Sequence, residues 1–472
     1  MLIIVLGMAV MIGMMVAQPP SILVIGAVSA VLLALAAMAW PDIATLAVIF
    51  IIYSNAAVVA VKFHGVPYIV GASVPVLLVI PLANYLIFRK QKLIINPALP
   101  LIIALLVIQL ISALFSEHID IAMEWLINFA IEGVALYFLI NNLVRTPKML
   151  RRAIWVLLGT GIIMGGLPLY QQVTGTFDNN YGGFAQTSVE PFGTGVENLQ
   201  GEAGQFRLAG SLGEQNRHAQ IMLMLVPLGL FRMWGERSRW LRALAAVATG
   251  LIIIGAALAF SRGAAVAFAL LLMIMTFMRF IKPYQIAIGL LAGILLLQVM
   301  PQYGARLNTL QILSSVAADE SAGISEADTS TQSRVTEMLA AVLVFADHPL
   351  IGVGPGVFGQ FYEESAKRVG IRVKLGRNRR AHSLLPGIAA ETGVLGLFCF
   401  LAIVFVTLRD LILTRRRCMQ SHPELANMAA GFMLAVISYL LTGIFLHFAF
   451  IRFFWLIMAL AGAASYVAEE RR

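Results

Sequence analysis

The sequence predicts an all-α polytopic membrane bundle, and three observations carry that prediction. Of 472 residues, 60% are hydrophobic and only 12% are charged, against roughly 25% charged in an average soluble domain. Apolar runs recur from end to end, each long enough to cross a hydrocarbon core of about 30 Å as a helix. Lipid offers no partner to an open backbone group, which selects helices for those runs.

Reading along the chain gives fourteen candidate spans, near 2–17, 21–39, 42–61, 66–88, 98–115, 124–143, 153–173, 217–231, 243–260, 263–278, 285–303, 384–407, 428–446 and 449–467. The first two are separated only by Gln18-Pro19-Pro20, so they also fit a re-entrant hairpin, which leaves twelve spans. The start, Met1-Leu2-Ile3-Ile4, lacks the basic n-region of a cleaved signal peptide and reads as a retained first span. Cys399 falls in a predicted span and Cys418 in a basic loop, which argues against a disulfide framework or a cysteine metal site. We read residues 1–472 as one membrane domain without internal repeats.

Charge then orients the layout. With the N-terminus inside, Arg89, Lys90, Lys92, Arg145, Lys148, Arg151 and Arg152 fall on the inner side, as do the clusters at 232–242, 279–282, 409–417 and 471–472. Both termini are then cytoplasmic. Two long loops, 174–216 and 304–383, fall outside, where length exempts their basic residues from the rule. The net charge of +9 sits beside span ends, where it fits topology and anionic membrane lipids rather than nucleic acid.

The polar residues that could carry chemistry gather in those outer loops. Gln205–Gln220 reads QFRLAGSLGEQNRHAQ, and Ala259–Ala264 reads AFSRGA in a tight turn. Arg334–Phe358 reads RVTEMLAAVLVFADHPLIGVGPGVF. Within it Val335, Met338, Leu339, Val342 and Phe345 recur at helical spacing and predict an amphipathic helix over about 334–346, lying on the membrane surface or the bundle. Glycines 352, 354 and 356 then form a turn whose backbone can approach a ligand, although it lacks the Gly-Lys-Ser/Thr of a phosphate-binding loop. Arg380–Leu397 reads RAHSLLPGIAAETGVLGL and places His382 where the second loop re-enters the membrane.

These motifs, in this order, resemble the O-antigen ligase and O-antigen polymerase superfamily. The likeness runs from Arg207 to Leu397: Arg-x-x-Gly-x-x-x-Glu-x-Asn, Ser-Arg-Gly, an Arg-headed helix running into His-Pro-Leu-x-Gly-x-Gly-Pro-Gly, and Ala-His-Ser followed by Glu-x-Gly-x-x-Gly. Ser383 departs from the asparagine of many members. The resemblance implies a GT-C-like helical bundle in a bacterial inner membrane. It also implies transfer of a glycan from an undecaprenyl-pyrophosphate donor on the outer leaflet to a hydroxyl of a lipid or glycan acceptor, without metal or cofactor. The variant reading is a repeat-unit polymerase working on the same donor. A flippase for lipid-linked sugars is the reading from another class, but transporters favour paired repeats and midplane ionisable groups.

Carried over residue by residue, the resemblance makes Arg207 and Arg334 the pyrophosphate-binding pair. That agrees with the chemistry of a planar fork that stays charged. It makes His382 the group that accepts or orients the acceptor proton. Arg262, Asn216 and Arg380 are further candidates for substrate contact. Plain structural roles compete with each of these. The arginines could pair with lipid phosphate or with Glu202 and Glu337, Asn216 could cap its helix, and His348 could cap a helix end. The run Lys367–Arg380 holds seven Lys or Arg and no acid, which suits either a solvated loop or a docking surface for anionic headgroups.

Overall fold

In a computed structural model, the described residues are 35–72, 74–187, 207–282, 284–285, 326–369, 379–448 and 451–470, with side chains described outside 326–332. The expected spans at 2–17 and 285–303, most of 21–39, and loop residues 188–206, 304–325 and 370–378 lie outside them.

The described chain is helical, as its composition requires. Its main helices are α1 (Pro41–Tyr53), α2 (Ala56–His64), α3 (Ala98–Leu114), α4 (Ile119–Asn128), α5 (Leu136–Leu143), α6 (Pro147–Thr174) and α7 (Gln215–Gly235). They continue with α8 (Arg239–Ala257), α9 (Arg262–Phe277), α10 (Glu326–Asp347), α11 (Phe358–Val369), α12 (Leu384–Ser421), α13 (Pro423–Gly443) and α14 (Ile451–Glu469). Six helices are long and apolar enough to cross a membrane, or seven if α1 and α2 count as one bent span. The chain is thus an all-α, multi-pass membrane protein. Starts and stops follow local chemistry. Thr146 caps α6 by accepting from Met149 N at 3.2 Å ahead of Pro147 at the first helical position, and Gly175 ends the helix in the left-handed region.

α13 and α14 are buried on nearly every side and form the centre of the bundle. Trp240, Phe277, Phe398 and Phe405 are exposed around its outside, as lipid-facing residues should be. The basic junctions gather at one end through a chain of contacts. Arg145 donates to the Lys92 carbonyl at 2.9 Å, Arg152 meets Asp42 at 3.5 Å, and Arg417 meets Glu469 at 3.8 Å. The loops carrying the motifs close the other end.

Three expectations need correction. The run 66–88 is not one regular helix but a turn of α-helix at Tyr68–Ala72 followed by a helix over Val74–Phe88 whose pairing passes from 3-10 at Val74–Leu78 through α at Val79–Ala83 to π at Asn84–Phe88. Pro75 lies in the first turn of that helix, and Pro81 removes one backbone donor within it. The run 42–61 is bent by 61° between α1 and α2, where Asn55 adopts a left-handed backbone (φ 62°).

The third correction concerns the amphipathic segment. It is longer than expected, and Val335, Met338, Leu339 and Val342 face outward while Thr336, Glu337, Ala340, Ala341 and Val344 face the protein. Small residues let α10 approach closely, and its larger apolar stripe is left for the membrane surface.

Candidate active site

Within the glycine turn, the stretch from Pro349 to Gly354 clasps α12. Gly393 interrupts that helix with a left-handed backbone (φ 65°), freeing groups that pair with the turn. Val394 N donates to the Pro349 carbonyl at 2.8 Å, Val353 N to Ala390 O at 3.0 Å and Gly354 N to Glu391 O at 3.0 Å. A Cβ on Gly352 would collide with the Glu391 backbone, and one on Gly393 with the Leu350 carbonyl. Ser112 and Ser116 on and beside α3 donate to Glu391 O and Val353 O at 2.9 and 2.6 Å, which fixes the clasp to the bundle.

This clasp sets the segment 379–383 across the mouth of the bundle. His382 itself has φ 41°, a conformation that a residue with a Cβ holds only when its surroundings impose it. Its Nε2 lies 3.4 Å from the Glu337 carboxylate on α10, and its Nδ1 is buried without a partner. Glu337 is only 1% exposed and takes hydrogen bonds from Arg379 at 2.9 Å and Ser333 at 3.3 Å. Burial pushes the Glu337 carboxyl up, against the pull of Arg379. Arg334 sits half-buried one turn before Glu337; burial lowers its pKa first, and the nearby positive charge of Arg262 lowers it further.

His382 is held neutral. Burial is the main cause, and Arg334, Arg217, Arg379 and Arg380 add to it by disfavouring a further positive charge, bringing the imidazole down to about 3. His447, in the turn between α13 and α14, stands edge to face with it at 5.5 Å between ring centres. Arg380 Nη1 donates to His447 Nε2 at 3.1 Å and lies over the Trp125 ring at 4.9 Å. His447 is pushed well below the usual histidine value, by burial first and then by the same arginines.

Arg207 joins the group through the Ser-Arg-Gly turn. Only 9% exposed, it donates from Nε to the Ala259 carbonyl at 3.1 Å and from Nη2 to Asn216 Oδ1 at 3.3 Å. Asn216 therefore holds Arg207. The helix cap before α7 is Glu214, and no side-chain cap bond forms there. Arg262 heads α9, where Ser261 accepts from Ala264 N at 3.4 Å. The structure thus gathers His382, Arg334, Arg379, Arg380 and Arg262 at one end of the bundle, with Arg207 and Asn216 on the adjoining turn. His348 lies elsewhere, exposed and packed edge to face on Phe361 at 5.6 Å. Among Lys367–Arg380, Arg368 pairs with Asp347 and Lys367 with Glu363 at 3.5 Å.

Two residues were not read from the sequence as parts of the site. Arg217 is fully buried, 0% exposed, with Nη1 on Gln220 Oε1 at 2.9 Å, Nε 3.6 Å from Glu214, and Nε and Nη2 without hydrogen-bond partners. The signal for it was a charge in the polar first turn of a helix that runs on as an apolar span. His447 had no local signal; only the chain's return to Arg380 gives it a role. Among the described residues no group of three or more His, Cys, Asp or Glu is placed to hold a metal ion.

Residues 245–401 match the model of the O-Antigen ligase family. That match supports membership of the O-antigen ligase/polymerase superfamily, and with it a ligase- or polymerase-type function in general. It spans the Ser-Arg-Gly turn, the Arg334 helix, the glycine clasp and His382; Arg207 and Asn216 precede it. No curated protein matches the chain.

Proposed function

We propose that the protein transfers a glycan from an undecaprenyl-pyrophosphate donor to an acceptor hydroxyl, at the outer face of a bacterial inner membrane and without metal. The observation that carries this reading is the imbalance at the site. Arginines 217, 334, 379 and 380 surround a neutral histidine, with Glu214 and Glu337 as the described counter-charges. Buried donors without partners carry a desolvation penalty, so a site of this kind is completed by an anion. A pyrophosphate bridged by guanidinium forks matches it in charge and geometry.

In this reading Arg334 and Arg207 hold the pyrophosphate, with Arg262 beside them. The acceptor oxygen attacks the anomeric carbon, the bond from that carbon to the phosphate oxygen breaks, and the electron pair leaves on the pyrophosphate. The acceptor proton goes to His382. Glu337 faces Nε2, which favours the tautomer with the proton there and leaves Nδ1 to accept. A histidine at about 3 is a weak base. The bound pyrophosphate offsets the arginines and raises its basicity, so proton transfer is coupled to donor binding. The growing negative charge on the leaving group is stabilised by the same arginines.

The experiment is transfer in nanodiscs from a defined undecaprenyl-pyrophosphate glycan. Formation of an elongated donor lipid identifies a polymerase, and glycan on a separate acceptor identifies a ligase. Absence of both, with the donor bound, rejects the reading. Cysteines placed at 90, 151 and 416 should resist a label applied from outside the cell while one at 320 reacts, and the reverse pattern would put the site in the wrong compartment.

A further inference from the structure

Behind the 379–381 segment lies a cavity of about 310 Å³, bounded by α3, α4, the glycine clasp, the start of α12 and the 444–448 turn. Neither Arg207 nor Arg334 lines it, whereas Arg379, Arg380 and His447 do. His382 meets both groups through its neighbours: Glu337 lies 3.4 Å from its Nε2, and His447, in the cavity wall, stands edge to face with it at 5.5 Å.

The polar groups that face the cavity are of both kinds. Gln109 Oε1 is buried without a partner and can accept. Glu391 supplies a carboxylate toward which the N–H groups of Gly356 and Phe358 are directed, and it can accept more. His447 receives a hydrogen bond at Nε2 from Arg380, so its proton sits on the unpartnered Nδ1, which donates. Trp125 and Phe448 supply apolar wall between these groups. A small space with alternating donors and acceptors and aromatic edges suits a ring that carries hydroxyls on its rim and C–H groups on its faces.

We propose that this cavity is the acceptor subsite and holds one sugar ring of a glycan acceptor, its reacting hydroxyl turned toward His382. The proposal rests on the transfer reading above and deepens it. A single displacement brings the acceptor to the anomeric carbon opposite the leaving group, and a cavity that reaches His382 through His447, with neither Arg207 nor Arg334 in its wall, meets that need.

Two substitutions test it. Gln109→Leu keeps the side chain's size but removes its hydrogen bonds, and Gln360→Trp, at an exposed position on the rim, fills the mouth without entering the core. The assay uses the full protein in nanodiscs, a labelled undecaprenyl-pyrophosphate glycan as donor, and an envelope glycolipid extract as acceptor. The amount of extract giving half-maximal transfer should rise about tenfold or more in each variant, as expected for one lost polar anchor or a blocked entrance. Donor binding, measured directly, should stay within about twofold of the wild type, as expected where no donor contact is lost. Unchanged dependence on extract in both variants overturns the proposal, and so does weakened donor binding with an unchanged melting temperature, which would give the cavity to the donor. A wild type that binds donor and transfers nothing overturns the transfer reading instead.

Discussion

At the end of the bundle away from His382, Arg151, Arg232, Glu236 and Glu424 form a closed set. Arg151 meets Glu236 at 2.8 Å, Arg232 pairs with Glu236 and reaches Glu424 at 3.3 Å, and Trp155 Nε1 donates to Glu236 at 3.3 Å. Two positive groups meet two negative ones across α6, α7 and α13, and Arg232 Nε alone of their buried polar atoms lacks a hydrogen-bond partner. Around His382 the same residue types are arranged without balance, and Arg217 Nε and Nη2, Glu337 Oε2 and His382 Nδ1 lack hydrogen-bond partners. The difference teaches what each end is for. A neutral network fixes helices to one another, whereas an excess of buried positive charge is held in place by the rest of the fold and lowers its free energy by meeting an anion.

Breaking the closed set should have the largest effect on folding and none on chemistry. Glu236→Gln leaves the buried Arg232 with only the half-exposed Glu424, a change approaching the roughly 3 to 5 kcal/mol in stability that follows when one partner of a buried pair is removed. Thermal melting in detergent should drop markedly, while transfer per folded molecule holds. Equal loss of specific activity would mean that the two ends are not separate.

The open set should respond the other way. Arg334→Ala and Arg207→Ala are each expected to lower transfer about a hundredfold, or ~3 kcal/mol, by removing a charge-assisted contact that strengthens as the bond breaks. Lysine at either position should restore only part of this, because it keeps the charge and loses the paired donation. Wild-type rates in both lysine variants at equal protein level would make these arginines structural.

His382→Ala should lower the maximal rate by about a hundredfold as well, within the range for a positioned proton acceptor, while donor binding persists. A variant that transfers normally removes His382 from the chemistry, and one that no longer binds donor makes it part of the pyrophosphate site.

The pH dependence sharpens the same contrast with a smaller effect. From residue type alone the rate would rise through a histidine value near 6.5, pushed somewhat lower by Arg379 and Arg380. The ring, part-buried among arginines and brought down to about 3, removes that step, so kcat/KM for donor should show no histidine inflection between pH 5 and 8, a range bracketing the reference value. Stability follows with a defined sign. The unfolded chain binds the proton near 6.5 and the folded one resists it to about 3, so stability present above 6.5 is lost as pH falls toward 3. His382→Gln should flatten that loss in melting scans, and an inflection in the wild-type rate near 6.5 would contradict the burial. The smallest expected effect is that of a chelator, which should leave the transfer rate unchanged.

Composition and periodicity alone determined the fold class, because lipid forces backbone pairing into helices. Six of the expected spans return as the six long apolar helices. Motif order, through the family resemblance it carries, pointed to Arg207, Arg334 and His382, and residue chemistry agreed, since few side chains can meet a phosphate or accept a proton. Direction and partnership were decided elsewhere. The apolar stripe of α10 reads equally as facing the membrane surface or the bundle, and it is turned outward, because small residues beside Glu337 admit the closer approach. Glycines 352 and 354 read as a ligand turn but serve a helix broken at Gly393, forty-one residues beyond Gly352 in the chain. Arg217 and His447 acquire their place only where α7, the 379–383 segment and the α13–α14 turn converge. A sequence specifies what each group can donate or accept; only the packed chain decides which of those capacities are already satisfied and which remain open for a substrate.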